Sequence, residues 1–292
     1  MNWTIWIICS AFLLAIYDIV KKASVRDNAV LPVLMIATFF GAIAYISGLA
    51  TSGKLMESCT LDRGLVFVSA VKSVFVGTSW ILTYCALRKL PLTIATPVRA
   101  SAPALVILLA LILYAERPTM TQWLGMAFVF SGFFAFSWAG KAEGIDFFRN
   151  RSVWFAIGGM VMSAVSSLFD KYVFQIAAYP VEPVQLFFQI GLLLFYTLIF
   201  LARKLIGIKG DRFEWRWTIP WVGVVLAGAD WLYFHGLAIP DAPISVGSLL
   251  RRFSVVITFV LGAAIFHENN LRRKGLALSL IVIGTAIIAL IA

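Results

Sequence analysis

One stretch of this chain is written twice. Residues Pro91 to Glu116, PLTIATPVRASAPALVILLALILYAE, return 152 residues later as PISVGSLLRRFSVVITFVLGAAIFHE, Pro243 to Glu268. Without a gap, Pro91 falls on Pro243, Arg99 on Arg251, Leu109 on Leu261 and Glu116 on Glu268. Other landmarks keep the offset to within one residue. Asp18 and Asp170, each after an aromatic, are 152 apart, as are Gly132 and Gly284. GTSW (Gly77–Trp80) and GADW (Gly228–Trp231) are 151 apart, and so are Pro32 and Pro183. Apolar helices resemble one another by chance, but an ordered series of polar, proline and tryptophan matches does not arise that way. The chain is an internal duplication.

What the two copies are made of decides where they fold. Of 292 residues, 61% are hydrophobic and 13% charged, with a mean hydropathy of +0.94. Soluble domains are near half apolar, and a core of this size cannot absorb the excess. A bilayer can, and ten Trp with eight Tyr suit its interfacial belts. A crossing needs about 20 apolar residues. Ten such spans are expected, near 2–20, 30–50, 64–87, 91–114, 121–139, 153–174, 183–202, 218–238, 243–266 and 274–292. The expected architecture is therefore an all-α membrane protein of ten transmembrane helices. Residues 1–140 form one five-helix repeat, 141–152 a linker, and 153–292 the second repeat. Five is odd, so the second copy enters the membrane from the opposite face, and the repeats are inverted.

A net charge of +10 would point to nucleic acid in a soluble protein. Here the basic residues sit in short loops between apolar runs, so membrane topology accounts for them and no nucleic-acid partner is expected. Outside the spans, sixteen of the twenty Lys and Arg fall on one side; only Lys54, Arg63, Arg117 and Lys171 fall on the other. The positive-inside rule puts the sixteen in the cytoplasm and both termini outside. The N-terminal run lacks a basic leader and a small-residue cleavage site, so it reads as a true first helix. Cys9, Cys59 and Cys85 form neither a metal spacing nor a disulfide framework.

Charges inside the spans carry the functional signal. An ionised side chain at bilayer centre costs about 2.5–3.5 kcal/mol, so it faces a cavity or a partner. Arg99 lies eight residues past Pro91, hence about 12 Å deep. Arg251 lies equally deep from the other face, and each stops roughly 3 Å short of the midplane of a 30 Å core. Arg252, Asp230 and Lys72 also fall within spans. One reading is a fixed network in which Asp230 neutralises one arginine. The other starts from the shortage of negative charge, which invites an anion onto the arginine forks. Trp80 and Trp231, with Tyr84, sit at matched depths, either as packing and belt residues or as a cavity wall. Asp18 and Asp170 near their helix ends read as interfacial ion pairs (with Lys21 or Lys22, and with Lys171) or as a gate. Glu116 and Glu268 close their helices before loops, and His235 and His267 read as helix-end or cavity-wall residues. No phosphate loop, metal spacing or nucleophile–base motif is present. The chain does not read as an enzyme, and no cofactor is implied.

Two five-helix halves, each with an apolar fourth helix ending in Glu (YAERPT, FHENNL) and a Gly-bearing fifth, resemble the EamA-type members of the drug/metabolite transporter superfamily. The resemblance covers the whole chain and implies a central cavity between the halves, alternating access and a small-metabolite cargo. Many ten-helix members look to have cytoplasmic termini, whereas the charge count here says the reverse. The tandem Arg251 and Arg252 lean towards an anionic or zwitterionic cargo. The expected function is a secondary transporter of such a metabolite, multi-pass in a bacterial inner membrane. A non-transporting scaffold or lipid-binding subunit with internally paired charges is the alternative. Substrate identity, direction and coupling ion are not in the sequence.

Overall fold

The computed structural model describes residues 3–59, 62–113, 119–141, 149–208, 210–237, 244–267 and 270–290. Among them every regular element is a helix. They are α1 (Trp3–Val25), α2 (Val30–Thr51), α3 (Leu55–Ser58), α4 (Arg63–Lys89), α5 (Leu92–Ala100), α6 (Ala102–Leu113), α7 (Met120–Lys141), α8 (Arg151–Lys171), α9 (Val181–Leu205), α10 (Thr218–Leu237), α11 (Ile244–Phe266) and α12 (Leu271–Leu290). The boundaries follow local chemistry. Asp62 caps α4 by accepting from the Leu65 amide at 2.9 Å, and Asn150 caps α8 through the Ser152 amide. Pro91 disfavours helical backbone at Leu90 and ends α4 there.

Among the described residues, six stretches are long and apolar enough to cross a membrane: Trp3–Val25, Val30–Thr51, Arg63–Lys89, Leu92–Leu109, Arg151–Phe174 and Val181–Leu205. Met120–Phe136 and Phe253–Phe266 are shorter apolar stretches. Large apolar side chains also point outward. Phe67, Phe134, Leu198 and Leu276 are each more than 60% exposed. In water that surface would aggregate, whereas lipid tails solvate it. The chain is an integral, multi-pass membrane protein.

The expected span 91–114 is not one helix. It breaks at Ser101, whose amide turns back to the Val98 carbonyl at 3.2 Å while its hydroxyl donates to the Pro97 carbonyl. Pro97 and Pro103 have no amide to give to the helical ladder, so this segment is weakened on both sides of Arg99. The second copy carries Leu249 and Val255 at those positions, and α11 runs through unbroken. At its C-terminal end α8 widens into a π turn, Tyr172–Ile176.

Packing interlocks the two halves of the sequence. α1 lies on α10 and α4 on α8; α2 also touches α10, and α9 touches α4. A 152-residue shift turns each contact into its counterpart. The pair α7–α12 maps onto itself, down to the residue. A methyl on Gly284 would stand 2.5 Å from the Gly125 carbonyl oxygen, and one on Gly132 would stand 2.7 Å from that of Ala277. Gly125 and Ala277 are themselves 152 apart.

The helix ends collect at two poles. At one, Lys22 Nζ donates to the Leu87 and Leu90 carbonyls, Arg216 to those of Ala23 and Arg26, and Lys274 Nζ to Thr93 Oγ1 at 2.9 Å. At the other, Lys54 pairs with Glu182 at 2.7 Å. The basic pole is the sealed one. Leu87, Leu90, Leu92, Thr93 and Ile94 are at most 2% exposed there.

Candidate functional site

Arg99 and Arg251 line the same cavity, of about 520 Å³. Its other walls are Leu14 of α1, Ser163 and Ser167 of α8, Tyr233 of α10, Ser254 of α11 and Ile288 of α12. These positions run from mid-helix towards the end opposite the basic pole. A volume of this size holds a small metabolite.

Arg99 is placed by α5, immediately before the break at Ser101. Its guanidinium donates to Asp18 Oδ2 at 2.6 Å. Asp18 also pairs with Lys21 Nζ, one turn along α1, through Oδ1 at 2.5 Å. Thr258 Oγ1 of α11 lies 3.5 Å from Oδ2, so both copies converge on this carboxylate. Lys21 sits 4.3 Å over the Tyr17 ring. The side chains of Asp18 and Lys21 are 2% exposed, whereas that of Arg99 is 37% exposed. The triad thus joins a dry carboxylate to a cation that reaches the cavity.

Arg251 has a different partner. It pairs with Asp230 of α10, and its guanidinium stacks over the Tyr233 ring at 4.2 Å. Its buried Nε has no acceptor among the described residues. A buried donor left unmade costs about 1–3 kcal/mol. Asp230 is 39% exposed, so a carboxylate stands beside the cavity as well as two cations.

Sequence spacing misjudged several partners. Asp170 pairs with Lys72 of α4 at 2.8 Å, a partner its own helix did not suggest; the side chain of Lys171 lies outside the described residues. Adjacent residues on a helix face different ways, whereas α4 and α8 are in contact. Lys72 is 4% exposed and lies about 5 Å from the Phe174 and Phe188 rings, so it has no route to water. Lys21, not Lys22, takes Asp18, because Lys22 caps the end of α4. Asp18 is 1% exposed. The expected shortage of negative charge shrinks accordingly: Asp18, Asp170 and Asp230 face Lys21, Lys72, Arg99 and Arg251. Arg252's side chain, Glu116, Glu268 and the side chain of His235 lie outside the described residues, and His267 is exposed just past α11.

Trp80, Tyr84 and Trp231 are not among the residues that line the arginine cavity. Trp80 and Tyr84 line a separate, narrow space with Tyr17, Gln189 and Gly223. Trp231 is 47% exposed and meets Trp6 edge-on, with ring centres 5.8 Å apart. Matched depth along two helices does not fix which way each faces. The polar cavity residues the sequence reading missed are Tyr233, Ser163, Ser167 and Ser254. Among apolar residues at helical spacing, their only signal was polarity in mid-span.

The multi-pass helical bundle thus encloses a cavity lined by paired charges. Residues 1–138 match the model of the EamA-like transporter family. No curated protein matches the chain significantly. A solved crystal structure, titled only as a protein, is similar over 99% of both chains, with a TM-score of 0.64 at 18% identity. At that identity the likeness shows a common fold alone.

Proposed function

We propose that the chain is a secondary transporter that crosses a bacterial inner membrane ten times, as inverted repeats 1–140 and 153–292 joined by 141–152. By alternating access it carries a small anionic or zwitterionic metabolite through the cavity between Arg99 and Arg251. The observation that carries this reading is that the two repeat-related arginines line one cavity. The reciprocal packing and the paired close approaches of α7 and α12 support the inverted repeat. Arg99, Arg251 and Asp230, all partly exposed, suit a cargo bearing a carboxylate or phosphate, with or without a cationic group. Arg252 is assigned to the same site from its place next to Arg251. Trp80, Trp231 and Tyr84, away from this cavity, are kept only as candidates for a second conformation.

The gate follows from the repeat. In the conformation described, Asp18 and Arg99 join beside the sealed basic pole. The 152-residue relation makes Asp170 and Arg251 the equivalent pair. When the other pole closes, Arg251 leaves Asp230 and takes Asp170, while Arg99 releases Asp18 to the opening side. Arg251's Nε, without an acceptor among the described residues, supports a side chain poised between partners.

A scaffold with internally paired charges is the competing reading, favoured by the carboxylate beside each of Lys72, Arg99 and Arg251. One experiment separates the two. Purified protein is screened by thermal shift against carboxylates, phosphates, amines and nucleotide sugars, and uptake of the responding compound is measured in vesicles. Each hydrogen bond to a charged group contributes about 1.5–3 kcal/mol, so Arg99→Gln and Arg251→Gln should each weaken uptake about tenfold or more. Folded variants that transport at the parent rate would make the arginines structural.

A further inference from the structure

A second cavity, of about 300 Å³, lies at the basic pole, away from the arginine site. It is framed by the start of α2, the end of α4, the end of α9 and the segment around Gly210. Its floor is apolar: Leu31, Ile81, Ile199 and Phe200. Its rim holds Arg88, Arg203 and Lys204, with Asp211 as the carboxylate among them. Asp211 pairs with Arg88, whose hydrogen bond holds that carboxyl below its usual range, so it stays ionised. Among the described residues neither Arg203 nor Lys204 forms an ion pair. Three cations against one carboxylate leave the rim at +2.

Beside this rim the outer face of α9 is apolar and open. Leu198 is 65% exposed, Leu201 47% and Leu205 87%. An occupant that fits must therefore bring negative charge to the rim and hydrocarbon to the floor and flank. We propose that this cavity binds the headgroup of an anionic phospholipid, with an acyl chain lying against Ile199 and Phe200. Basic pockets between helices at the cytoplasmic surface recognise such headgroups. Unpaired Arg203 supplies a planar fork for a phosphate, and Lys204 a second charge. A soluble anion would have no use for the apolar floor, and a zwitterionic lipid would leave the +2 rim uncompensated.

The test is native mass spectrometry of the purified chain after incubation with phosphatidylglycerol, with phosphatidylcholine, or with inorganic phosphate alone. Phosphatidylglycerol should stay bound through detergent stripping, and phosphatidylcholine should not. The variant carrying both Arg203→Gln and Lys204→Gln removes only exposed side chains. Each basic residue near an anionic headgroup contributes about fivefold in affinity. The double variant should therefore bind phosphatidylglycerol about thirtyfold more weakly. Lys54→Gln, at the opposite pole, should leave binding unchanged. Equal retention of phosphatidylcholine would reduce the site to an apolar groove and overturn the proposal. So would full competition by inorganic phosphate at equal concentration, or undiminished phosphatidylglycerol binding by the double variant.

Discussion

Asp18 and Asp230 are both aspartates paired to a repeat-related arginine, yet burial separates them. Asp18 is dry and holds two cations, Arg99 and Lys21. Asp230 holds only Arg251 among the described residues and is 39% exposed. Removing one partner of a buried pair costs about 3–5 kcal/mol, because the remaining charge stays in a medium that cannot solvate it. Asp18→Asn should therefore lower stability by about that amount, while Asp230→Asn should cost clearly less, since water in the cavity takes over part of the carboxylate's role. Thermal unfolding of both variants in the same detergent checks the order. Equal losses would mean that Asp230 is as poorly solvated as Asp18. Lys21→Met adds a control at this scale: with Arg99 still present, Asp18 keeps one partner, and the loss should be smaller than for Asp18→Asn.

Among the elements, α7 and α12 depend on absent side chains. Lipid tails are as apolar as leucine, so two membrane helices hold together through close approach rather than through exclusion of water. Gly284 lets α12 come so near that a methyl would meet the Gly125 carbonyl and the Val129 backbone. Both are backbone atoms, which cannot swing away. Gly284→Ala should cost about 1–3 kcal/mol by overpacking. Gly275, near the start of the same helix, has nothing within 4 Å of its would-be methyl, and Gly275→Ala should leave stability unchanged or raise it slightly. Chemical unfolding of the two variants decides between them. The break between α5 and α6 belongs to this scale too. It was legible from Pro97 and Pro103, but the match to an unbroken second copy hid it.

For the whole molecule, the distribution of charge predicts orientation. Sixteen loop cations on one side of the expected spans against four on the other predict a cytoplasmic basic pole. A reporter fused after Ala292 should then behave as external. A cytoplasmic signal would reverse the orientation and put the mouth of the arginine cavity on the inner side. With the basic pole inside, the described conformation opens outward, because the cavity walls run away from the pole sealed by Lys22, Lys274 and the Leu87–Ile94 segment.

What the chain determined by itself is what depends on composition and on position along one helix. Apolar length dictates a membrane bundle, the 152-residue offset makes Arg99 and Arg251 equivalent, and helical spacing puts both Lys21 and Lys22 within reach of Asp18. What needed the tertiary structure was every partner chosen across helices: Arg99 for Asp18, Lys72 for Asp170, Arg251 for Asp230, and the separation of Trp80 from Trp231. Depth in the membrane can be counted from a helix end at about 1.5 Å per residue. The direction a side chain faces cannot, because helix rotation is set by close packing such as that of Gly284 on Gly125, and those contacts join residues far apart in the chain.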